Sequence, residues 1–426
     1  MKPFHYACSI CSTTYAQDDV IYTCPVDGGN LDIVIDHIAI ARDWSPARIA
    51  SNPDPSMWRY QALLPVSIPP ANSNSLRTVG GSPLFNAEPL ARRLGLNHVW
   101  IKDDGRLPTA SLKDRASAVV VVRAMETQVS PIVTASTGNA GVALAGMAAA
   151  AGLQAVILVP ESAPQAKVAQ LLVLGAQLAL VRGSYSDAYD LSLDVSEELG
   201  WYCRNTGYNP YTSEGKKTVS FEICEQLTIM ADPTHQNRNW IAPDRIFVPV
   251  GDGNIISGIH KGFKDLQSLG WINRIPRLIG VQAKGSSAIA QAFDIGTESI
   301  DPVRANTLAD SIAADRPSDG LRALRAATET GGAYVTVSDE EIISAMVSLA
   351  RQTAVFAEPA AAASYAGLVK YAQDKDIDPD EHLVILITGN GLKDVQAAIQ
   401  AVDKAPTIDP TVNEVRQLLA NTQNRT

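Results

Sequence analysis

Cysteine and charge are both scarce in this sequence, and each bears on what the protein can be. Only 5 of 426 residues are cysteine. Three cluster near the start (Cys8, Cys11, Cys24) and two stand apart (Cys203, Cys224). That is no disulfide framework, so a reducing cytoplasm is the default compartment. Charged residues make up 19% of the chain and the net charge is −10. An acidic balance argues against nucleic acid or an anionic membrane as the main partner. It leaves a small anionic ligand open, because that needs only a local set of donors.

Long apolar runs are absent as well. The first residues, Met1-Lys-Pro-Phe-His-Tyr6, do not lead into the apolar stretch of a secretory signal. The stretch from Ala140 to Pro160 carries no charge, but it is rich in Ala and Gly and is broken at Gly152-Leu-Gln154. A helix ending near Gly152, followed by a buried strand, fits it better than a membrane span. What remains is an ordinary composition with 46% hydrophobic residues. The length allows about two to three domains.

The chain is organised around Pro108-Thr-Ala-Ser-Leu-Lys-Asp-Arg-Ala116. Its one lysine, Lys113, follows a polar turn and opens an apolar run to Val122. A partly desolvated amine there loses affinity for its proton and becomes a nucleophile able to form a Schiff base. A lysine that merely snorkels from a helix start is the ordinary alternative. The company that Lys113 keeps decides between them.

Beyond Ala116 the pattern is regular. Helices are expected over Ser117–Gln128, from Asn139 to near Gly152, and over Gln165–Gly175 and Tyr185–Gly200. Strands are expected at Ile132–Ala135, Ala155–Val159 and Gln177–Val181. A second block repeats the alternation, with strands at Ile246–Val250, Leu278–Val281 and Leu383–Ile387. Its helices span Ile255–Leu269, Asp339–Arg351 and Pro359–Ala372. Strands alternating with helices at this spacing predict a parallel sheet covered on both faces, an α/β fold. Before them, Val99–Lys102 reads as a strand. The stretch Asp36–Val79 reads as a short helix and an extended arm. The residues from about Thr407 are polar and expected to order only where they pack.

Three polar turns close strands in this scheme: Ser136-Thr-Gly-Asn-Ala140, Gly251-Asp-Gly-Asn254 and Thr388-Gly-Asn-Gly391. Ligands of open α/β sheets bind beyond the carboxyl ends of strands. The first two turns each open a helix, whose backbone N–H groups and dipole favour an anion. Two anion cradles and one lysine describe a ligand with a phosphate at one end, a carboxylate near the other and a carbonyl between. Pyridoxal phosphate with an amino-acid substrate fits that description. A dinucleotide fold would need a third glycine in register with Gly251 and Gly253, and position 256 is Ile.

At the N-terminus, Cys8-Ser-Ile-Cys11 and Cys24-Pro-Val-Asp27 form two turn-rich knuckles, the way a zinc ribbon offers its ligands. A full ribbon would carry cysteine at position 27, where Asp27 stands. Both a zinc site of Cys8, Cys11, Cys24 and Asp27 and a metal-free relic stay open.

Between Gly80 and Asp394 the chain resembles the fold-type II pyridoxal-phosphate enzymes, and among them the threonine synthases. The resemblance is carried by Pro108–Arg115, Ala135–Asn139, Glu214-Gly-Lys-Lys-Thr218, Phe356-Ala-Glu-Pro-Ala360 and Thr388-Gly-Asn-Gly-Leu-Lys-Asp394. It implies two three-layer domains with mostly parallel sheets. Residues 116–205 would form a small domain inserted in a large cofactor-binding one (37–115 and 206–405). A ribbon-like segment (1–36) would precede them and a tail (406–426) follow.

The resemblance also implies that Lys113 carries the cofactor as a Schiff base and moves substrate protons. Asn139 then meets the pyridine hydroxyl oxygen, and Thr388 the ring nitrogen. Gly251, Asp252, Gly253 and Asn254 cradle the cofactor phosphate. Ser111, Ser136, Thr137 and Asn139 serve the substrate, with its carboxylate on the Ser136 turn. The implied enzyme is a homodimeric lyase that makes threonine and phosphate from O-phospho-L-homoserine and water.

Two departures stand out. The phosphate loop is one residue short, with Asp252 where the family has Asn, so backbone donors would hold the phosphate while Asp252 points away. Asn209-Pro-Tyr-Thr212 has Thr212 where the family has an arginine that grips the substrate phosphate, and a hydroxyl cannot make that bidentate charged contact. Lys216, Lys217 and Arg115 are the candidate substitutes. The alternative activity is β-elimination or β-replacement on another activated amino acid, as in an ammonia-lyase, dehydratase or synthase.

Overall fold

The structure is a computed structural model that describes residues 4–231, 239–375 and 377–423. The chain begins with three antiparallel strands, β1 (Phe4–Cys8), β2 (Thr14–Ala16) and β3 (Leu31–Ile35), in the order β2-β1-β3. Then come β4 (Leu84–Asn86) and β5 (His98–Asp103), and after a helix the strands β6 (Ile132–Ala135), β7 (Ala155–Pro160), β8 (Gln177–Val181) and β9 (Tyr202–Cys203). The last four are β10 (Arg245–Pro249), β11 (Arg277–Ala283), β12 (Ala333–Val337) and β13 (His382–Ile387).

These strands build two further sheets. One has the order β12-β11-β10-β13-β5-β4, parallel except for the edge pair β4–β5. The other, β8-β7-β6-β9, is parallel throughout. The molecule is therefore an α/β protein with mostly parallel sheets. β10 and β13 are buried along nearly their whole length, as strands covered on both faces must be. Among the described residues no helix is long and apolar enough to cross a membrane.

Most expected elements are present within a few residues, and the differences have physical causes. The helix expected from Ser117 starts four residues earlier and spans Lys113–Thr127. Leu112 is already in the right-handed helical region, and Asp114 in the first turn accepts the backbone N–H of Thr109 at 2.6 Å. The acidic side chain tethers the preceding loop to the helix start and extends the helix to Lys113. The stretch Asp36–Val79 is more helical than expected, with helices at His37–Asp43 and Pro46–Ala50 capped by Asp36 and Ser45. It does wrap the body: Trp58 is fully buried and its ring N–H donates to Leu76 O at 2.8 Å. The polar end, expected to order only by packing, carries a helix over Val412–Gln423.

Candidate active site

Lys113 is the first residue of its helix, half-buried, and its amine lines a cavity. The same cavity is lined by Asn139, Gly251, Asp252, Gly253, Ser311, Glu358 and Thr388. These residues lie far apart in sequence. They meet because the turns after β6, β10 and β13 all leave the carboxyl ends of their strands on the side of Lys113.

Buried charge fixes the lysine's own loop. Arg115 donates through Nε to Asp104 Oδ2 at 2.7 Å and through Nη1 to Glu222 Oε1 at 2.6 Å. Lys102 Nζ meets the other Glu222 oxygen at 2.6 Å. A satisfied ion cluster of this kind holds the helix start rigidly. Burial pushes the Lys113 ammonium below its usual range, and the Arg204 guanidinium pushes the same way. Asp252 and Glu358 act against them without cancelling the shift. An amine so placed gives up its proton more readily than a surface lysine.

The turn after β10 is the anion cradle. Gly253 has φ +94°, and a Cβ there would lie 2.6 Å from Asp319 O, so only glycine closes this turn. The helix Asn254–Ser268 follows it. The expectation that Asp252 points away is corrected here: Asp252 Oδ1 accepts the backbone N–H of Asn254 at 3.0 Å. A carboxylate on the helix-start N–H is drawn there by the donor and the dipole that suit a phosphate oxygen.

Asn139 opens the helix after β6, and its Nδ2 donates to both Glu358 oxygens at 2.8 and 3.0 Å and to Ser311 Oγ at 3.3 Å. Burial holds the Glu358 carboxyl above its usual range. Thr388 is buried, and its carbonyl accepts the N–H of Leu112 at 2.9 Å, which ties the third turn to the lysine loop. Ser111 is fully buried and its hydroxyl has no partner among the described residues. Ser136 and Thr137 do not line this cavity. Ser136 Oγ accepts the N–H of Gly138 at 3.2 Å, and Gly138 lines an adjoining cleft with Asn139, Lys167, Ser311 and Lys393.

Glu358, Ser311 and Arg204 are site neighbours to which the sequence assigned no role. Glu358 lies inside the quoted Phe356–Ala360 motif, so a signal existed for it. Ser311 and Arg204 stand in unremarkable surroundings.

In the N-terminal segment, Cys8, Cys11, Cys24 and Asp27 converge, with their ligand atoms all within 4.8 Å of one another. Cys11 Sγ and Cys24 Sγ are 3.7 Å apart, and Cys8 Sγ is 3.3 Å from Asp27 Oδ1. The segment is anchored to the body where Arg322 Nη1 meets Asp32 Oδ1 at 2.6 Å and Arg325 Nη1 donates to Ser9 O at 2.5 Å.

A lysine at a helix start, a glycine-turn anion cradle and a hydroxyl at a third strand end, on this pair of mostly parallel sheets, define a fold-type II pyridoxal-phosphate enzyme. The family model described as pyridoxal-phosphate dependent enzyme matches residues 76–389. A threonine synthase of Methanocaldococcus jannaschii is 37% identical over 97% of this chain and 98% of its own length. Another, from Methanosarcina acetivorans, is 36% identical over 98% of both. The fold is shared with threonine deaminase isoform 2 of Solanum lycopersicum at TM-score 0.62 and 23% identity, covering 75% of this chain and 87% of that one. The chain belongs to the pyridoxal-phosphate-dependent enzymes and, within them, to the threonine synthase family.

Proposed function

We propose that this site runs the threonine synthase reaction: phosphate leaves the γ-carbon of O-phospho-L-homoserine and water adds at the β-carbon to give L-threonine. The observation that carries the reading is the single cavity shared by Lys113, the Gly251–Gly253 cradle, Asn139 and Thr388. Those residues fit pyridoxal phosphate. The helix-start donor at Asn254 already attracts an oxyanion, and the buried Ser111 hydroxyl is left with hydrogen-bonding capacity to spare.

In this reading the Gly251–Asn254 turn holds the cofactor phosphate, Asn139 the ring hydroxyl side and Thr388 the ring nitrogen side. The cofactor, when bound, supplies an electron sink for carbanions at the substrate's α-carbon and its neighbours. Thr388, a neutral hydroxyl, moderates that sink relative to a carboxylate. The Ser136–Asn139 turn orients the substrate carboxylate, with Ser111 beside it. The Lys113 amine takes the proton from the α-carbon and relays protons at the β- and γ-carbons, as its lowered proton affinity allows. Inorganic phosphate leaves with the Cγ–O electron pair once the α- and β-protons are gone, and the lysine gives a proton to the γ-carbon. Water then adds at the β-carbon, and the protons left over return to the α-carbon and to the phosphate.

The inserted arrangement, 116–205 within 37–115 and 206–405, is supported by the separate β8-β7-β6-β9 sheet. Zinc in the N-terminal segment is supported by the sulfur spacing: a tetrahedral ion with Zn–S of about 2.3 Å sets its sulfurs about 3.8 Å apart. A homodimer rests on the family resemblance, and cytoplasmic residence on the cysteine usage.

The alternative, β-elimination or β-replacement on another amino acid, is favoured by Thr212. Its hydroxyl donates to Asn209 O at 2.7 Å and carries no charge for a phosphate. The deciding experiment is phosphate release from O-phospho-L-homoserine by the yellow protein, with Lys113→Ala as blank. Release matched by threonine supports the reading. A yellow protein that releases none refutes the substrate and leaves the cofactor site standing.

A further inference from the structure

Two buried basic side chains stand without a carboxylate in ion-pair contact, and the Asp252 carboxylate acts on both from farther off. Lys102, Arg115, Arg123, Lys217, Arg245 and Arg322 are buried, and each has a carboxylate oxygen within 3.7 Å. Arg204 and Lys216 are both 0% exposed, and among the described residues neither has an ion-pair partner. Arg204 Nε donates to Ser117 Oγ at 3.2 Å and Nη1 to Thr206 Oγ1, while Nη2 has no partner. Lys216 donates only to the amide oxygen of Asn254. Burying an unpaired charge is expensive: burial first, and Lys113 beside it, push the Lys216 ammonium well below its usual range, and a bound anion would restore its charge.

Neither side chain lines the Lys113 cavity itself, but both lie close enough to act on its charges, Arg204 on Lys113 and both on Asp252. Ser117 lies one helical turn beyond Lys113, on the same face, so Arg204 reaches the Lys113 side of that helix. Lys216 ends the helix Tyr211–Lys216, which lies backbone to backbone against Arg115: a Cβ on Gly215 would be 2.0 Å from Arg115 O. Lys216 also packs against the start of the helix Asn254–Ser268, where a Cβ on Gly258 would be 2.9 Å from its own Cβ. The candidates from the sequence sort themselves accordingly. Arg115 and Lys217 are consumed by internal ion pairs, and Lys216 is not.

We propose that Arg204 and Lys216 together grip the departing phosphate of the substrate, in place of the arginine that Thr212 replaces. The inference rests on the functional reading above. Two cations suit a phosphate dianion better than a carboxylate, which has its own turn at Ser136–Asn139. The cofactor phosphate has the backbone donors of Gly251–Asn254. Arg204 instead comes from the end of β9, where its N–H donates to Val133 O of β6 at 2.8 Å. That is the strand leading into the Ser136 turn, so the guanidinium approaches from the substrate side. As the Cγ–O bond breaks and its electron pair moves to the phosphate oxygen, the growing charge meets two fixed cations in a water-poor site.

The test uses Arg204→Gln, Arg204→Lys and Lys216→Gln in the holoenzyme. Three quantities are measured: KM and kcat for O-phospho-L-homoserine, binding of inorganic phosphate by calorimetry, and cofactor affinity by absorbance titration. Each glutamine variant should raise KM and the phosphate dissociation constant about tenfold or more, as expected for losing a charged hydrogen bond. Arg204→Lys should recover part of the loss, and cofactor affinity should stay within about twofold. Unchanged phosphate binding in folded variants overturns the grip. A matching loss of cofactor affinity also overturns it, by assigning the pair to the cofactor's phosphate. Should Arg204→Gln lose its fold by thermal melt, Arg204→Lys and Lys216→Gln decide alone. Wild-type protein that ignores O-phospho-L-homoserine yet binds inorganic phosphate through these residues refutes the substrate and upholds the grip.

Discussion

Asp252 sets its carboxylate on the backbone N–H of Asn254, 3.0 Å away, at the mouth of the helix that the phosphate loop opens. Burial opposes the charge, but Lys113 and Lys216 outweigh burial and keep the carboxyl below its usual range, so it is ionised at neutral pH. An anionic side chain therefore competes with any phosphate for the same donor. Asp252→Asn should remove that competition and tighten cofactor binding by about 1 kcal/mol, or about fivefold. Equilibrium titration of the apoprotein with pyridoxal phosphate measures it. Weaker binding in the variant would mean that the carboxylate's main part is to hold the loop.

Lys113 makes the sharper prediction. Lys113→Ala should abolish threonine formation and the yellow absorbance of the holoenzyme while leaving the melting temperature within a few degrees. The ion cluster that positions the loop belongs to Arg115, Asp104 and Glu222, and the lysine does not share in it. Steady-state turnover with the colour retained would sink the assignment of Lys113.

How far the sequence reached depended on the kind of signal. Strands such as Ile132–Ala135 and Gln177–Val181 were legible to the residue, because short apolar runs between turn signals have few other uses. The helix start at Lys113 was not, since a tether from Asp114 to Thr109 is a tertiary detail. The three turns were legible as glycine-asparagine punctuation after strands. Their gathering around one ligand followed from their place at strand ends, while the role of each residue needed the family resemblance. Arg204 left no trace at all. Its meaning lies in the lack of a carboxylate in ion-pair contact with it, and only packing reveals that. Asp252 shows the reverse failure, where the residue type was noted and its direction was misjudged.

Glu222 supplies a pH dependence. Burial pushes its carboxyl up, and Arg115 and Lys102 together overcome burial and hold it down at about 2. In the unfolded chain a glutamate titrates at about 4.3. Its folded value is the lower one, so its contribution to stability is complete above about pH 4.3 and is lost as pH falls towards 2. Glu222→Gln should leave two buried cations short of a partner and cost about 3–5 kcal/mol. Thermal melts from pH 7 to pH 3 should show the wild type losing stability through this window and the variant, already weakened, losing less. Parallel curves would assign the acid sensitivity to other carboxylates.

The N-terminal cluster yields the last prediction. Cys24 is buried between Cys11 Sγ at 3.7 Å and the Tyr15 hydroxyl at 3.0 Å, and it does not line the Lys113 cavity. Three thiols and a carboxylate at tetrahedral spacing suit zinc, which would then tie β1 and the Cys24–Asp27 turn together. Cys24→Ser, or chelation of the wild type, should lower the melting temperature and release about one zinc per chain, with kcat of the surviving folded protein changed little. Asp32 and Arg322 link this segment to Asp319, and Asp319 accepts from Asn254 Nδ2 at 2.8 Å. Loss of the metal should therefore reach the active site first as weaker cofactor retention, through Asn254, and only later as lost chemistry. Metal analysis by mass spectrometry beside a melt decides it. Unchanged stability with lost turnover would put the cluster in the chemistry, and a native protein free of zinc would make it a relic.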